Sequence, residues 1–97
     1  MPTYVILGNY TQKGIENIKT SPEKREAAQK MFESIGGEFK DFYYTLGKYD
    51  FVVLCEAPDE RAMLKALLII ASKGEVRTET LTAIPADNGA GIIKGMP

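Results

Sequence analysis

The sequence predicts an α+β fold. One four-stranded antiparallel sheet, threaded in the order strand, helix, strand, strand, helix, strand, is covered by two helices on one face. Three observations predict it. The stretch Phe39–Glu56 reads as two strands joined by a two-residue loop, Gly47-Lys48, and glycine at the first loop position suits a type II′ turn whose twist matches the flanking strands. Thr3–Tyr10 opens on the continuous apolar run Tyr4-Val5-Ile6-Leu7, the pattern of a central strand covered on both faces. Two further segments, 21–35 and 59–73, carry helical apolar stripes between capping residues and glycines.

Length and composition narrow the function. At 97 residues the chain forms one domain with a single modest core. Apolar residues at 44% and charged residues at 26% place it among ordinary globular chains. With 12 basic and 13 acidic residues the net charge is -1, so the chain lacks the basic field that supplies most non-specific nucleic-acid affinity. No apolar run is long enough to span a membrane. The N-terminal segment has neither the basic lead nor the small-residue cleavage site of a secretory signal. One cysteine, Cys55, excludes an internal disulfide and fits a reducing compartment. A cytoplasmic protein with neither nucleic-acid nor membrane partners is expected. The chain has no histidine, which removes the usual general base and the commonest metal ligand. No phosphate-loop or dinucleotide glycine pattern is present, so no cofactor and no metal are expected.

In chain order, Thr11 suits the N-cap of a helix over Gln12–Lys19 that shows Ile15 and Ile18 to one side and holds Gly14 inside. Ser21-Pro22-Glu23 restarts helix, with serine as cap, proline in the first helical position and glutamate at the positive end of the dipole. Ala28, Met31, Phe32 and Ile35 then fall at i, i+3, i+4 and i+7, and Gly36-Gly37 stops the helix. In the hairpin the loop sets Tyr44 opposite Phe51, Phe42 opposite Val53 and Phe39 opposite Glu56. Period two then gathers Phe42, Tyr44, Leu46, Tyr49, Phe51, Val53 and Cys55 on one face, and Phe39, Asp41, Tyr43, Thr45, Asp50, Val52, Leu54 and Glu56 on the other. Asp59 caps a second helix that Gly74 closes. Because Ala62–Ala71 holds one charge, Lys65, that helix is expected to be covered on more than one side. Glu75–Ile84 reads as a β-branched edge strand. The domain is expected to span 1–84 and to leave 85–97, with two prolines and three glycines, as an irregular tail.

This order matches the ferredoxin-like βαββαβ arrangement, with the first and third strands in the middle of the sheet. Two helices cover only one face. With Val5, Leu7, Val52 and Leu54 taken as the side toward the helices, Tyr4, Ile6, Phe42, Tyr44, Phe51 and Val53 look outward. Each large apolar side chain removed from water contributes about 1.5–3 kcal/mol, and monomers rarely leave such a patch open. Those six residues are therefore expected to form a homodimer interface, two sheets packed back to back.

Leu46-Gly47-Lys48-Tyr49-Asp50, together with Tyr4–Gly14 and Ala57-Pro58-Asp59, resembles the GYD-domain family, named for a glycine-tyrosine-aspartate signature; here Lys48 separates the first two. The resemblance covers 3–84. It implies a dimeric α/β barrel of the ferredoxin-like kind, a homodimer or higher homo-oligomer, and an uncharacterised role, and it supplies no catalytic residues.

Two corners carry candidate ligand contacts. Tyr43, Thr45, Tyr49 and Asp50 offer hydroxyls and a carboxylate beside the hairpin loop, or else serve the turn and its packing. Asn9, Thr11 and Lys13 lie where the first strand gives way to a helix, a place where backbone amides and a cation can hold an anion, or else form a cap beside an exposed lysine. With the third strand taken as parallel to the first, these corners are expected at opposite ends of the sheet. Cys55, with no histidine to activate it, reads as a buried inert thiol. The leading expectation is a homo-oligomeric module that binds a small apolar molecule or a protein partner between sheet and helices. Two alternatives stand beside it. One is a cofactor-independent monooxygenase- or isomerase-like enzyme on a dimeric α/β barrel, its pocket lined by Tyr43, Asp50 and Val52. The other is an RNA-recognition-like domain, faintly echoed by Lys48–Leu54 but with Ile6 where a stacking ring is wanted.

Overall fold

Hairpin and first strand form the centre of a sheet that the elements through the fourth strand pack against or extend. The structure, a computed structural model, describes residues 1–97. Its elements are β1 (Thr3–Tyr10), α1 (Gln12–Glu16), a 3₁₀ turn (Ile18–Thr20), α2 (Ser21–Ser34), β2 (Glu38–Tyr44), β3 (Phe51–Glu56), α3 (Glu60–Ser72), β4 (Val76–Ala83) and α4 (Ala86–Lys94). The sheet order is β2-β3-β1-β4, and every neighbouring pair is antiparallel. The two strands apolar on both sides are the central ones, as their composition requires.

The faces are the reverse of the expectation. Tyr4, Ile6, Phe51, Val53 and Cys55 are buried with Phe32 of α2 and with Met63 and Ala66 of α3. Of the six residues expected at a dimer interface, Tyr4, Ile6, Phe51 and Val53 are therefore core, Phe42 is half-buried on the same side, and Tyr44 is exposed there. Val5, Leu7, Val52 and Leu54 occupy the open side. A strand apolar on both sides has a clear period but no arrow, so alternation separates the two sets without saying which one the helices take. Gly8 is what selects. It pairs with Phe51, and a Cβ there would come within 2.0 Å of the Phe51 ring, so the ring lies across the sheet where only glycine leaves room.

A second departure lies in β2. The register shifts between Phe39 and Asp41, and Phe39 pairs with Cys55 instead of Glu56. A bulge at Lys40 gives the strand one extra residue, which turns Phe39 onto the helix side, 5.8 Å from the Phe32 ring and 6.4 Å from that of Phe42. Lys40 itself stays out, paired with Glu38 and Glu56.

The helices begin and end on local chemistry. Thr11 caps α1 through its Oγ1, which accepts from Gly14 N–H; α1 is shorter than expected, the 3₁₀ turn following it. Asp59 caps α3, its Oδ1 accepting from Ala62 N–H at 2.8 Å, a cap that contributes about 1 kcal/mol. Gly36 and Gly74, past the ends of α2 and α3, take positive φ of 81° and 71°, the left-handed closure that glycine permits without strain. Within this chain α3 is covered on one side only, and Leu64 and Leu68 stand exposed. The tail corrects the expectation of irregular chain. After Pro85, residues Ala86–Lys94 form α4, with Ile92 and Ile93 exposed. It stands off the body, and the whole chain measures 52 × 31 × 17 Å with a radius of gyration of 14.7 Å, against about 13 Å for a compact chain of this length. No helix is long and apolar enough to cross a membrane.

Candidate functional site

The two corners expected at opposite ends of the sheet meet at one end. The crossover through α2 returns β2 parallel to β1, and the hairpin then reverses the chain, so β3 runs antiparallel to β1. This brings the hairpin loop beside the end of β1. Asp50 Oδ2 accepts from Tyr10 N–H at 2.9 Å, and Asp50 N–H donates to the Gly8 carbonyl at 2.8 Å. The aspartate thereby extends the β1–β3 ladder past the last paired residues.

Each residue of the glycine-tyrosine-aspartate signature has a local physical role. Gly47 sits at φ +101°, in the region that glycine adopts freely. Thr45 N–H donates to the Asp50 carbonyl at 2.9 Å, and Thr45 Oγ1 donates to the Tyr49 carbonyl at 2.6 Å, which together close the loop. The Tyr49 hydroxyl reaches over the open face and donates to Glu79 Oε2 at 2.6 Å. That bond to a carboxylate holds the phenol above its ordinary pKa. Tyr43, on the same face, is exposed.

The second corner is a clasp between α1 and the end of α3. Thr11 Oγ1 donates to the Gly74 carbonyl at 2.7 Å, and Lys13 Nζ donates to the Lys73 carbonyl at 3.0 Å. The Thr11 hydroxyl and the Lys13 ammonium are thus engaged with the carbonyls of Gly74, just past α3, and of Lys73, its C-cap, at the end where a helix leaves carbonyls without an intrahelical partner. Asn9 stands next to them on the open face, paired with Arg77.

What sequence reasoning missed lies on the helix side. A cavity of 170 Å³ opens between the inner sheet face and α2 and α3. Its floor includes Ile6, Phe42, Phe51 and Val53, and its wall includes Tyr10, Ser21, Met31 and Ile70. The pocket expected from Tyr43, Asp50 and Val52 is not this one, because Tyr43 and Val52 face the opposite way. Ser21, read as a helix cap, is instead a buried hydroxyl between two phenols. Its Oγ shares hydrogen bonds with Tyr10 Oη at 3.2 Å and Tyr44 Oη at 2.7 Å. The signal was present in the period of two, which places Tyr44 on the Phe42 side of the hairpin. Burial pushes the Tyr10 phenol above its ordinary pKa, more than the Ser21 bond lowers it. Burial likewise pushes the Cys55 thiol up to about 11, the direction that makes a thiol inert.

The open face has two rows in register. Asp41, Leu54, Val5 and Leu81 form one, and Tyr43, Val52, Leu7 and Glu79 the other. Leu81 and Tyr43 are exposed, and the central four are half-buried only by their neighbours in the sheet.

Comparison with known proteins extends past the signature. The profile of the GYD domain matches residues 4–93, taking in most of α4. A protein of Thermus thermophilus called "Glutamine synthetase and cystathionine beta-lyase binding protein" is 40% identical over 86 residues, which is 88% of this chain and 90% of that one. No solved structure matches.

Proposed function

Because the chain belongs to the GYD domain family, and because its sheet leaves one apolar face without a covering layer, we propose that it is a cytoplasmic protein-binding module that pairs with a second copy through that face. The open face is the observation that carries this reading. Val5, Leu7, Val52 and Leu54 sit at its centre, with Tyr43 and Leu81 at its margins. Two such faces stacked at about 10 Å, the ordinary spacing of packed sheets, remove both from water. A self-complementary patch of this kind closes as a two-fold dimer. The residues are the opposite set from those first expected at the interface, while the reason for pairing is unchanged.

The relative's name supports protein binding, and makes a glutamine synthetase and a cystathionine β-lyase the first partners to try with this chain. The ionisable groups nearest the cavity support binding over catalysis, since Tyr10 is shifted away from neutrality and Lys24 is ion-paired with Glu75. Phe51, which an RNA-recognition reading needs for stacking, is buried under the helices.

Sedimentation velocity tests the proposal. At micromolar concentration the protein is expected to sediment at twice its 10.7 kDa mass, and Leu7→Asp to leave a folded monomer, because a charge cannot be buried unpaired at a two-fold contact. Added glutamine synthetase or cystathionine β-lyase should carry the protein into a faster boundary. A monomer at every concentration sinks the pairing, and failure to move with either enzyme sinks the partner assignment.

A further inference from the structure

We infer that the cavity between sheet and helices is a binding site for a small aromatic or branched monocarboxylate, its apolar body inside and its carboxylate at the start of α2. The chemistry of the cavity is graded along one helix. Ser21, Lys24, Arg25, Ala28, Met31 and Phe32 all line it, and they fall at i, i+3, i+4, i+7, i+10 and i+11, a single stripe. The first turn of that stripe is polar and cationic, and the later turns are apolar.

The apolar end has room for one ring. The volume of the whole cavity, 170 Å³, is close to the roughly 150 Å³ of an engineered apolar cavity that stays dry and takes up benzene. Phe42 and Phe51 stack across its floor at 5.3 Å, their planes 13° apart, presenting a flat aromatic surface to a planar body.

The polar end calls for an anion. Three cations, Lys24, Arg25 and Lys73, line the cavity against one carboxylate, Glu75. Lys24 is taken by Glu75, whereas Arg25 and Lys73 have no ion-pair partner. The Arg25 guanidinium lies 5.8 Å from the centroid of the Phe42 ring, over the edge of the apolar floor, where it can meet a carboxylate attached to a ring below. The hydroxyl chain adds a donor. Tyr10, Ser21 and Tyr44 hold three protons for the two hydrogen bonds that join them, so one proton is left to donate outward. An apolar molecule without the acid leaves Arg25 unanswered, and a small anion without the body leaves the cavity empty.

Three probes separate these contributions: phenylacetate, with body and acid; phenylethanol, with the body alone; and acetate, with the acid alone. Titrations of the intact protein followed by amide NMR shifts should show phenylacetate saturating residues 21–32 and binding at least about tenfold more tightly than either partial probe, the usual range for a charge-assisted bond. Ala28→Phe should fill the cavity and abolish phenylacetate binding. Arg25→Gln, a change at an exposed position, should weaken phenylacetate about tenfold and leave phenylethanol unchanged; it decides the matter should Ala28→Phe fail to fold. No saturable response to phenylacetate, equal affinity for phenylethanol, or binding indifferent to Arg25→Gln overturns the inference.

Discussion

Ile6 and Leu7 are adjacent on one strand, yet they belong to different molecular surfaces. Ile6 is 2% exposed among the rings and aliphatic side chains under α2 and α3; Leu7 looks the other way, between Val52 and Glu79, with no helix above it. The two faces of this sheet are nearly equal in apolar content, so hydrophobicity alone does not decide which becomes core. Shape does. The inner face offers the glycine platform at Gly8, the bulged Phe39 and the small Ala57, on which large rings and the helices can pack closely around the cavity.

The comparison breaks most sharply under paired truncation. Ile6→Ala should cost about 2–5 kcal/mol, the usual loss for a fully buried aliphatic side chain. Leu7→Ala, measured at a concentration low enough to keep the protein monomeric, should cost well under half as much, because its side chain is only partly buried and has no layer above it. Urea unfolding of the two variants checks this. Equal losses would mean that the open face is covered within the protomer.

Much of this architecture was legible in the residues. Ser21-Pro22 and Asp59 marked helix starts, Gly36 and Gly74 marked helix ends, and the doubly apolar β1 and β3 marked the centre of the sheet. Besides the choice of face, three features were not. The bulge at Lys40 leaves no trace in composition, because one extra residue in a strand is visible only in the pairing it displaces. The helix α4 contains Gly89 and Gly91, each disfavoured in a helix by about 1 kcal/mol relative to alanine, so local propensity argued against it. The meeting of Asp50 with Tyr10 depended on strand direction, a property of the whole path of the chain that neither segment contains.

Alkaline pH probes the inner face from another direction. Burial raises the Cys55 thiol from an ordinary 9.0 to about 11, so the folded state holds this proton more tightly than the unfolded state. The associated stability is present in full below 9.0 and is lost as the pH climbs toward about 11. Two pKa units correspond to at most about 2–3 kcal/mol. Tyr4 and Tyr10, both raised chiefly by burial, act in the same direction from 10.0 upward. Replacing the thiol in Cys55→Ala should flatten the decline over the lower part of that window. An unchanged slope would show that the thiol is not the group being titrated. Tyr49, whose hydroxyl reaches over the open face, is also raised from 10.0 by its bond to Glu79, so it is the part of the profile below 10.0 that reports on the helix side alone.

The smallest effect is expected at α4, which sharpens the contrast between a surface that is merely open and one that is detached. Ile92 and Ile93 are 59% and 67% exposed, more than the central residues of the open face. With little of either side chain buried in the protomer, the double change Ile92→Ser, Ile93→Ser should alter the unfolding free energy by no more than about 0.5 kcal/mol, the range of substitutions that touch nothing. Thermal melts of a dilute sample measure it. The same melts repeated at high concentration separate two causes of any larger loss. A loss that grows with concentration places α4 against a second copy, because only association makes stability depend on protomer concentration; a loss independent of concentration places it against its own body and removes the distinction drawn here between α4 and the sheet.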